Sequence, residues 1–455
     1  MTLITTLHLP PFLIMRTHSI TKLLKLFSSV AVLLLLNIAQ VQTVFASTSV
    51  AKPSQGYMQT IDGIERQIRS LSSLAAKQPG SWVRLEQLAQ VQLHRAKLTG
   101  RTEDFVQTQR TLQRAFSLAG DGAGPFLSRA EFNFAIHRFS EVEVDLKSAE
   151  SALLIEAGAQ SKIDSLRADV ALYQSRYHRA RESYEQLEQR NPSAATATRL
   201  ADYHVQTGKY EQAEHWFQIA ETRAVGESAL FRAWIHLQYG ILDLERGRLN
   251  DAKVHYEHAL AIFPGYWLVQ EHIAEIDALQ GRTAIAEQQY RKLIDETNSP
   301  YFMVALAEVL LDRVEPVAKE EAEFWRKAAQ STIDSALAYL PEMSMGHAVE
   351  HLLQSGEPER VLPMAQQNYQ SRPGSEAAML LLQAQAVNGE LAEAIQLLKQ
   401  TLNTPYRSAQ LFATASVLFS AVGEIQQANE YKAAALHINP NSIEAVSWLQ
   451  KQLTP

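Results

Sequence analysis

Three stretches of the chain share one pattern of residue types: SRYHRARESYEQLEQR (175–190), GKYEQAEHWFQIAETR (208–223) and GRLNDAKVHYEHALAI (247–262). Each stretch opens on a small turn residue, has an aromatic or aliphatic residue two positions later and alanine three positions after that. A large ring follows four positions further on. Because the turn residue recurs as Ser175, Gly208 and Gly247, at a similar interval each time, the pattern indicates a tandem repeat.

The pattern continues toward the C-terminus. Gly281 opens another copy, and further turn positions follow at Gly356, Gly389 and Gly423. The interval between Gly281 and Gly356 is about twice the others, so it is long enough for two units, one of which carries an insertion. Proline stands at the same distance past the turn residue in four copies, as Pro192, Pro264, Pro373 and Pro440.

Each position of the pattern has a physical reason. Glycine at the turn adopts a positive φ without strain. Alanine lets two helices approach closely, and the ring four residues later lies on the same helical face and fills the space toward the next unit. Proline ends the second helix because it lacks an N–H and clashes with the preceding turn. Each unit therefore depends on its neighbours for a core.

The A-x3-F…P pattern, present as Ala252, Tyr256 and Pro264, resembles the tetratricopeptide repeat, whose period is about 34 residues. The resemblance implies an all-α fold, a right-handed superhelical solenoid of helix-turn-helix units with capping helices at both ends. It places repeats at 123–300 and 342–442, a helical cap with a divergent repeat at 57–122, and a C-terminal capping helix at 443–455. Between the two blocks, 301–341 is expected to form an irregular helical pair with an insertion.

The N-terminus is expected to be a secretory signal over residues 1–46. Arg16, Lys22 and Lys25 precede an apolar run over 26–39, and Ala46 ends a small-residue exit. Met15 would give a more conventional start, and an uncleaved membrane anchor is the alternative. Residues 47–56 are expected to be a flexible leader.

The composition of the chain limits its cellular location and the classes of partner that it can bind. The chain has no cysteine, which excludes disulfides, thiolate metal sites and a lipid-modified cysteine, so the predicted address is the periplasm, with secretion to the medium as the alternative. Without residues 1–46, the chain keeps 39 of its 42 Lys and Arg against 49 Asp and Glu, a net charge of −10. That balance argues against nucleic acid and anionic lipid as partners and favours a basic protein or peptide.

The resemblance also implies a binding groove lined by the first helices of the units. Carried onto this sequence, the groove positions six and ten residues before each turn include five acidic and no basic residues. The predicted partner-binding residues are Asp169, Asp202, Glu271, Glu275, Glu350 and Gln383. Neighbouring groove positions are Ser165, Thr198, Gly346 and Met379. The competing interpretation is that these acids are ordinary solvated residues of an acidic protein.

Two histidine motifs have spacings found in metal or catalytic sites. His347, Glu350 and His351 form an H-x-x-E-H string like that of inverted zinc proteases, but it falls in the first helix of an ordinary repeat. His255 and His258 lie three residues apart, a spacing that chance produces readily among 14 histidines. No cofactor, metal or enzymatic activity is therefore predicted.

The function predicted from the sequence is an exported adaptor that binds a protein or peptide and supports an envelope complex. Two alternatives remain open: a metal-dependent hydrolase or metal-handling protein that uses the H-x-x-E-H string, and a structural subunit of a homo-oligomer.

Overall fold

A computed structural model describes residues 56–453, apart from 153–157, 314, 356 and 357. The predicted signal, most of the predicted leader and the turn at Gly356 lie outside the described residues. What is described is helical from end to end, and the prediction of an all-α solenoid built from helix-turn-helix units is confirmed.

The helices follow one another in antiparallel pairs, numbered here in chain order. The first block holds α1 (Tyr57–Lys77), α2 (Trp82–Thr99), α3 (Thr102–Leu118), α4 (Phe126–Ala135), α5 (Phe139–Glu150), α6 (Ala159–Tyr173), α7 (Tyr177–Arg190), α8 (Ala194–Gln206), α9 (Tyr210–Arg223), α10 (Ala229–Glu245), α11 (Leu249–Ile262), α12 (Trp267–Leu279) and α13 (Thr283–Thr297). A single 3-10 turn, Ala224–Gly226, links α9 to α10.

The second block starts with α14 (Pro300–Leu311) and α15 (Pro316–Tyr339), which fill the region predicted as an irregular pair. It continues with α16 (Pro341–Ser355), α17 (Pro358–Ser371), α18 (Ser375–Val387), α19 (Leu391–Leu402), α20 (Ala409–Ala421), α21 (Ile425–Ile438), α22 (Ser442–Ala445) and α23 (Ser447–Leu453). The insertion lengthens α15 to 24 residues, against 14 in α7, α9 and α11.

The turns have the geometry that the repeat pattern requires. Gly208, Gly247 and Gly281 have φ of 68°, 72° and 75°, and Ser175 takes the same left-handed conformation at 58°. The four pattern prolines each stand two residues past the end of a second helix, namely α7, α11, α17 and α21. The local signals in the sequence therefore account for where the helices stop.

The core lies between helices of adjacent units. The pattern alanines Ala180, Ala213, Ala252 and Ala286 are fully buried, and so are the rings of Tyr256 and Tyr290. Tyr184 and Phe217 are at most 2% exposed. Each pair thus uses its neighbour to complete its core, as expected for a solenoid.

The two blocks also contact each other along a line of turns, which we call the seam. Arg138 pairs with Glu342 at 3.0 Å, and the amide of Ser375 donates to the hydroxyl of Ser175 at 2.8 Å. Further along, the amide of Arg407 donates to the carbonyl of Gln206, and the Asn439 side chain donates to the carbonyl of Glu245, both at 3.0 Å. The seam therefore joins positions that are far apart in the sequence, and it does so at regular intervals.

The first helices of the central units are enclosed. In α8, α12, α14 and α18 every residue is buried or half-buried, and none is exposed. In these units, the second helices carry exposed apolar side chains, as at Val254 in α11 and Ile285 in α13. None of the helices in the described part of the chain has the length and apolar character needed to span a membrane.

Candidate functional site

The predicted groove residues are inside the protein. Asp169 and Glu271 are completely buried, Glu275 and Gln383 are 2% exposed, and Asp202 is 8% exposed. Glu350 is half-buried. These side chains therefore face other protein groups, and the structure groups them into separate polar clusters within the solenoid.

The first cluster is built around Asp169 of α6. Arg199 of α8 donates two hydrogen bonds to its carboxylate, from Nε at 2.9 Å and from Nη2 at 3.0 Å, and the hydroxyl of Tyr184 donates a third at 2.9 Å. Arg199 is itself 1% exposed. A bidentate guanidinium neutralises this buried carboxylate and satisfies its oxygens, so Asp169 has the partners that burial of a charge demands.

The second cluster lies where α8 meets the seam. Asp202 accepts a hydrogen bond from the Tyr173 hydroxyl at 3.3 Å, and the charges that act on it most strongly belong to other carboxylates. Burial, together with the negative charges of Asp169 and Glu376, raises the pKa of Asp202 to about 7. The pKa of Glu376 is also raised to about 7, chiefly by burial, with Arg372 opposing the shift. Carboxyl groups from both blocks thus meet here.

The third cluster is a turn of α12 with the sequence Glu271-His272-Ile273-Ala274-Glu275. His272 Nδ1 lies 3.3 Å from a Glu271 oxygen and 3.2 Å from a Glu275 oxygen. Ligand atoms of the three side chains all lie within 4.8 Å of one another, and all three residues are buried. In the part of the chain that the structure describes, this is the one group of three His, Asp or Glu side chains close enough to share a metal ion.

The remaining predicted residues have ordinary local partners. His347 Nδ1 lies 3.3 Å from Glu350 and its ring packs 4.5 Å from that of Tyr301, while His351 is buried. The Gln383 amide donates to the Thr414 hydroxyl at 3.2 Å. The H-x-x-E-H string therefore sits within the packing of α16.

The His255 and His258 pair lies on one side of α11, next to α10. The His255 ring stacks on Tyr239 at 4.7 Å, and its Nε2 lies 3.6 Å from Asp243. His258 is exposed. Both rings lie beside that of His236 in α10, at centroid distances of 6.1 Å for His255 and 5.6 Å for His258.

The sequence pattern does not single out His272, although it selects both of the neighbouring carboxylates. The available signal is the E-H-x-x-E spacing, which puts three potential ligands, two carboxylates and one imidazole, within about one turn of a helix. The burial of His272 could not be predicted from the sequence, because that burial depends on how tightly the first helices are enclosed.

Residues 192–265 match the family model described as tetratricopeptide repeat, which agrees with the repeats read from the sequence. No curated protein sequence matches the chain at a significant level.

Several solved structures are similar in outline. The Rap protein in complex with competence and sporulation factor is 13% identical over 80% of this chain and 99% of that one, with a TM-score of 0.40. A human IFIT1 dimer with m7Gppp-AAAA is 14% identical over 92% and 98%, with a TM-score of 0.36. A tetratricopeptide repeat protein from Parabacteroides merdae is 18% identical over 56% and 98%, with a TM-score of 0.35. At these values the likenesses carry no argument about function.

Proposed function

We propose that this protein is an exported scaffold that binds a protein or peptide and supports an envelope complex. The observation that carries the proposal is the stack of tetratricopeptide-type hairpins, matched by the family model at residues 192–265. Such a stack is a rigid, extended surface, and its stability comes from unit-to-unit packing, which leaves the outer side chains available for a partner.

The partner binds the outer second helices. A partner in the groove would have to displace the seam to reach Glu271 or Asp202, because the first helices around them are enclosed. The outer face of α15 is the better candidate. Val317, Phe324 and Tyr339 are 73%, 60% and 64% exposed and fall within about 60° of one another around the helix, given 3.6 residues per turn.

The charge of the chain supports a basic partner. The surface of α15 carries Glu320 and Glu323 beside Phe324, all exposed, and Lys327 pairs with Glu323 at 3.5 Å. An apolar anchor flanked by carboxylates suits a segment that combines a large apolar residue with Lys or Arg. Binding to such a segment weakens as salt is added, because exposed charges are screened.

The test is site-specific crosslinking in cells of the source organism. A photo-crosslinking amino acid is placed at position 324 in the tagged full chain, with position 258 on α11 as a matched exposed control. A discrete adduct with another protein at 324 but not at 258 supports the scaffold. An adduct with a second copy of the chain would replace it with the homo-oligomer alternative, and identical adduct patterns at both positions would refute the α15 surface.

A further inference from the structure

In the third cluster, the Glu271 carboxylate lacks the partners that a buried charge requires. Both oxygens of Glu271 accept no hydrogen bond from the described residues, and His272 Nε2 has no partner among them either. His272 Nδ1 is within hydrogen-bonding distance of Glu275 at 3.2 Å. Two carboxylates with a neutral imidazole carry a charge of −2 in a fully buried site, and such a charge is costly to bury unless it is neutralised.

Two tyrosines complete the surroundings. The Tyr256 ring of α11 stacks on the His272 ring at a centroid distance of 5.1 Å, and Tyr290 of α13 belongs to the same unit as the cluster. Both tyrosines are completely buried, and both hydroxyls lack a hydrogen-bond partner among the described residues. The negative charges of Glu271 and Glu275 help burial to raise the pKa of both hydroxyls, so these oxygens lie in the field of the cluster.

The repeat supplies an internal comparison. Counted from the turn residues Ser175 and Gly281, Asp169 and Glu275 hold the same position, as do Tyr184 and Tyr290. In the earlier unit Tyr184 donates to Asp169, whereas the Tyr290 hydroxyl has no such acceptor within the described chain. The position of Arg199, the sixth residue of α8, is taken in α14 by its sixth residue, Ala305.

The later unit has thus lost the neutralising cation and gained ligands. Ser165 and Leu166 of the earlier unit correspond to Glu271 and His272, and Leu146 corresponds to Tyr256. A neutral and two apolar positions have become a carboxylate, an imidazole and a phenol around the same point. A change in this direction is expected where a positive charge comes from outside the chain.

We propose that Glu271, His272 and Glu275 bind one divalent transition-metal cation, and Zn²⁺, which accepts both carboxylate and imidazole ligands, is the cation to test. Donors bonded to tetrahedral zinc at about 2.0–2.2 Å lie about 3.3–3.6 Å apart. The separations from His272 Nδ1 to the two carboxylates are 3.3 and 3.2 Å. A tyrosine hydroxyl or a water completes the coordination, and the cation does for this unit what Arg199 does for the earlier one.

Because the site is enclosed, the metal enters as the unit folds, and its binding free energy adds to that of folding. The full chain is therefore unfolded in denaturant with a chelator, freed of metal, and refolded with or without Zn²⁺. After removal of free zinc, metal content is measured by mass spectrometry and thermal unfolding by circular dichroism. We expect about one zinc per chain and a higher Tm in the zinc-refolded protein.

Two variants make the test specific. His272→Gln removes a ligand and is expected to lower zinc affinity at least 100-fold, since outer-shell changes alone cost roughly 10–100-fold. His258→Gln, which removes an exposed histidine from the preceding helix, is the matched control and should retain the zinc and the Tm shift. Equal zinc content in both variants would show surface chelation and overturn the site.

Glu271→Gln separates a metal from a proton as the neutralising species. Burial and Glu275 raise the pKa of Glu271, so a protonated carboxyl is the competing arrangement. If a proton neutralises Glu271, the wild-type Tm does not respond to zinc, and Glu271→Gln leaves the Tm unchanged or raises it. If a metal serves, Glu271→Gln abolishes the zinc-dependent rise in Tm while far-ultraviolet circular dichroism confirms that the variant is helical.

Discussion

Replacing Asp202 with asparagine should make the protein more stable at alkaline pH and change the pH dependence of its stability. The Asp202 carboxyl is 8% exposed, and its pKa is raised from 3.8 to about 7 by burial, by Asp169 of α6 and by Glu376 of α18. Tyr173 and Gln206 oppose the shift through hydrogen bonds. Asparagine has nearly the same shape and cannot ionise, so it removes the cost of the buried charge.

The magnitude follows from proton linkage. A carboxyl with a raised folded-state pKa contributes most stability below its unfolded pKa and loses that contribution as pH rises toward and through the folded value. Between about pH 5 and pH 7 the native state holds a proton that the unfolded state has released, and it gives up that proton by about pH 8, so wild type loses about 2.5 kcal/mol at this one group between pH 5 and pH 8. Glu245 and Glu376 also have pKa values raised to about 7, so the wild-type profile alone cannot isolate Asp202.

The assay is urea unfolding of wild type and Asp202→Asn, followed by circular dichroism at about pH 5 and about pH 8. The stability of the variant relative to wild type should rise by about 2.5 kcal/mol between the two conditions. Asp62→Asn, at an exposed position of α1, is the control and should give a flat difference. A flat difference for Asp202→Asn as well would refute the account of a buried carboxyl that ionises near neutral pH.

Three further changes test packing and charge. Arg199→Met leaves Asp169 buried without its cation and should cost about 3–5 kcal/mol in urea unfolding, while Asp169→Asn in the same chain should recover part of that loss; no recovery would argue against the ion pair. Gly240→Ala places a Cβ against the Tyr256 ring and should cost about 1–3 kcal/mol, whereas Gly120→Ala, where the added Cβ meets nothing, should not change the stability. Gly374→Ala places a Cβ against the backbone carbonyl of Tyr173 and should open the seam; new sites of limited proteolysis between the blocks would show this, and an unchanged digestion pattern would contradict it.

The repeat units could be predicted from the sequence because their determinants are local. Gly208 and Gly247 set the turns, Pro192 and Pro264 end the second helices, and Tyr256 and Tyr290 fill the spaces that the pattern assigns to rings. Each of these signals acts within one unit or between adjacent units. A single sequence contains all the information that such short-range contacts need.

The seam and the enclosure of the groove could not be predicted in this way. Whether Ser175 meets Ser375 depends on the rotation between successive units, summed over the units between them, and no residue pattern reports that sum. The burial of Asp202 and Glu271 follows from the same geometry. Positions that line an open groove in a wide solenoid become interior positions here, so the sequence identified polar residues whose surroundings it could not describe.

The seam has a consequence for how the chain folds and fails. In a simple repeat array, each unit contacts only its neighbours, and loss of a terminal unit leaves the stability of the central units unchanged. Here the Asn439 side chain donates to the carbonyl of Glu245, and the Arg407 amide donates to that of Gln206. The last units therefore stabilise units that come much earlier in the chain. Closing contacts of such long range slows folding, because the chain must lose the entropy of a large loop before any of them forms. Removal of the C-terminal units should therefore also destabilise the central units, because it removes their contacts across the seam.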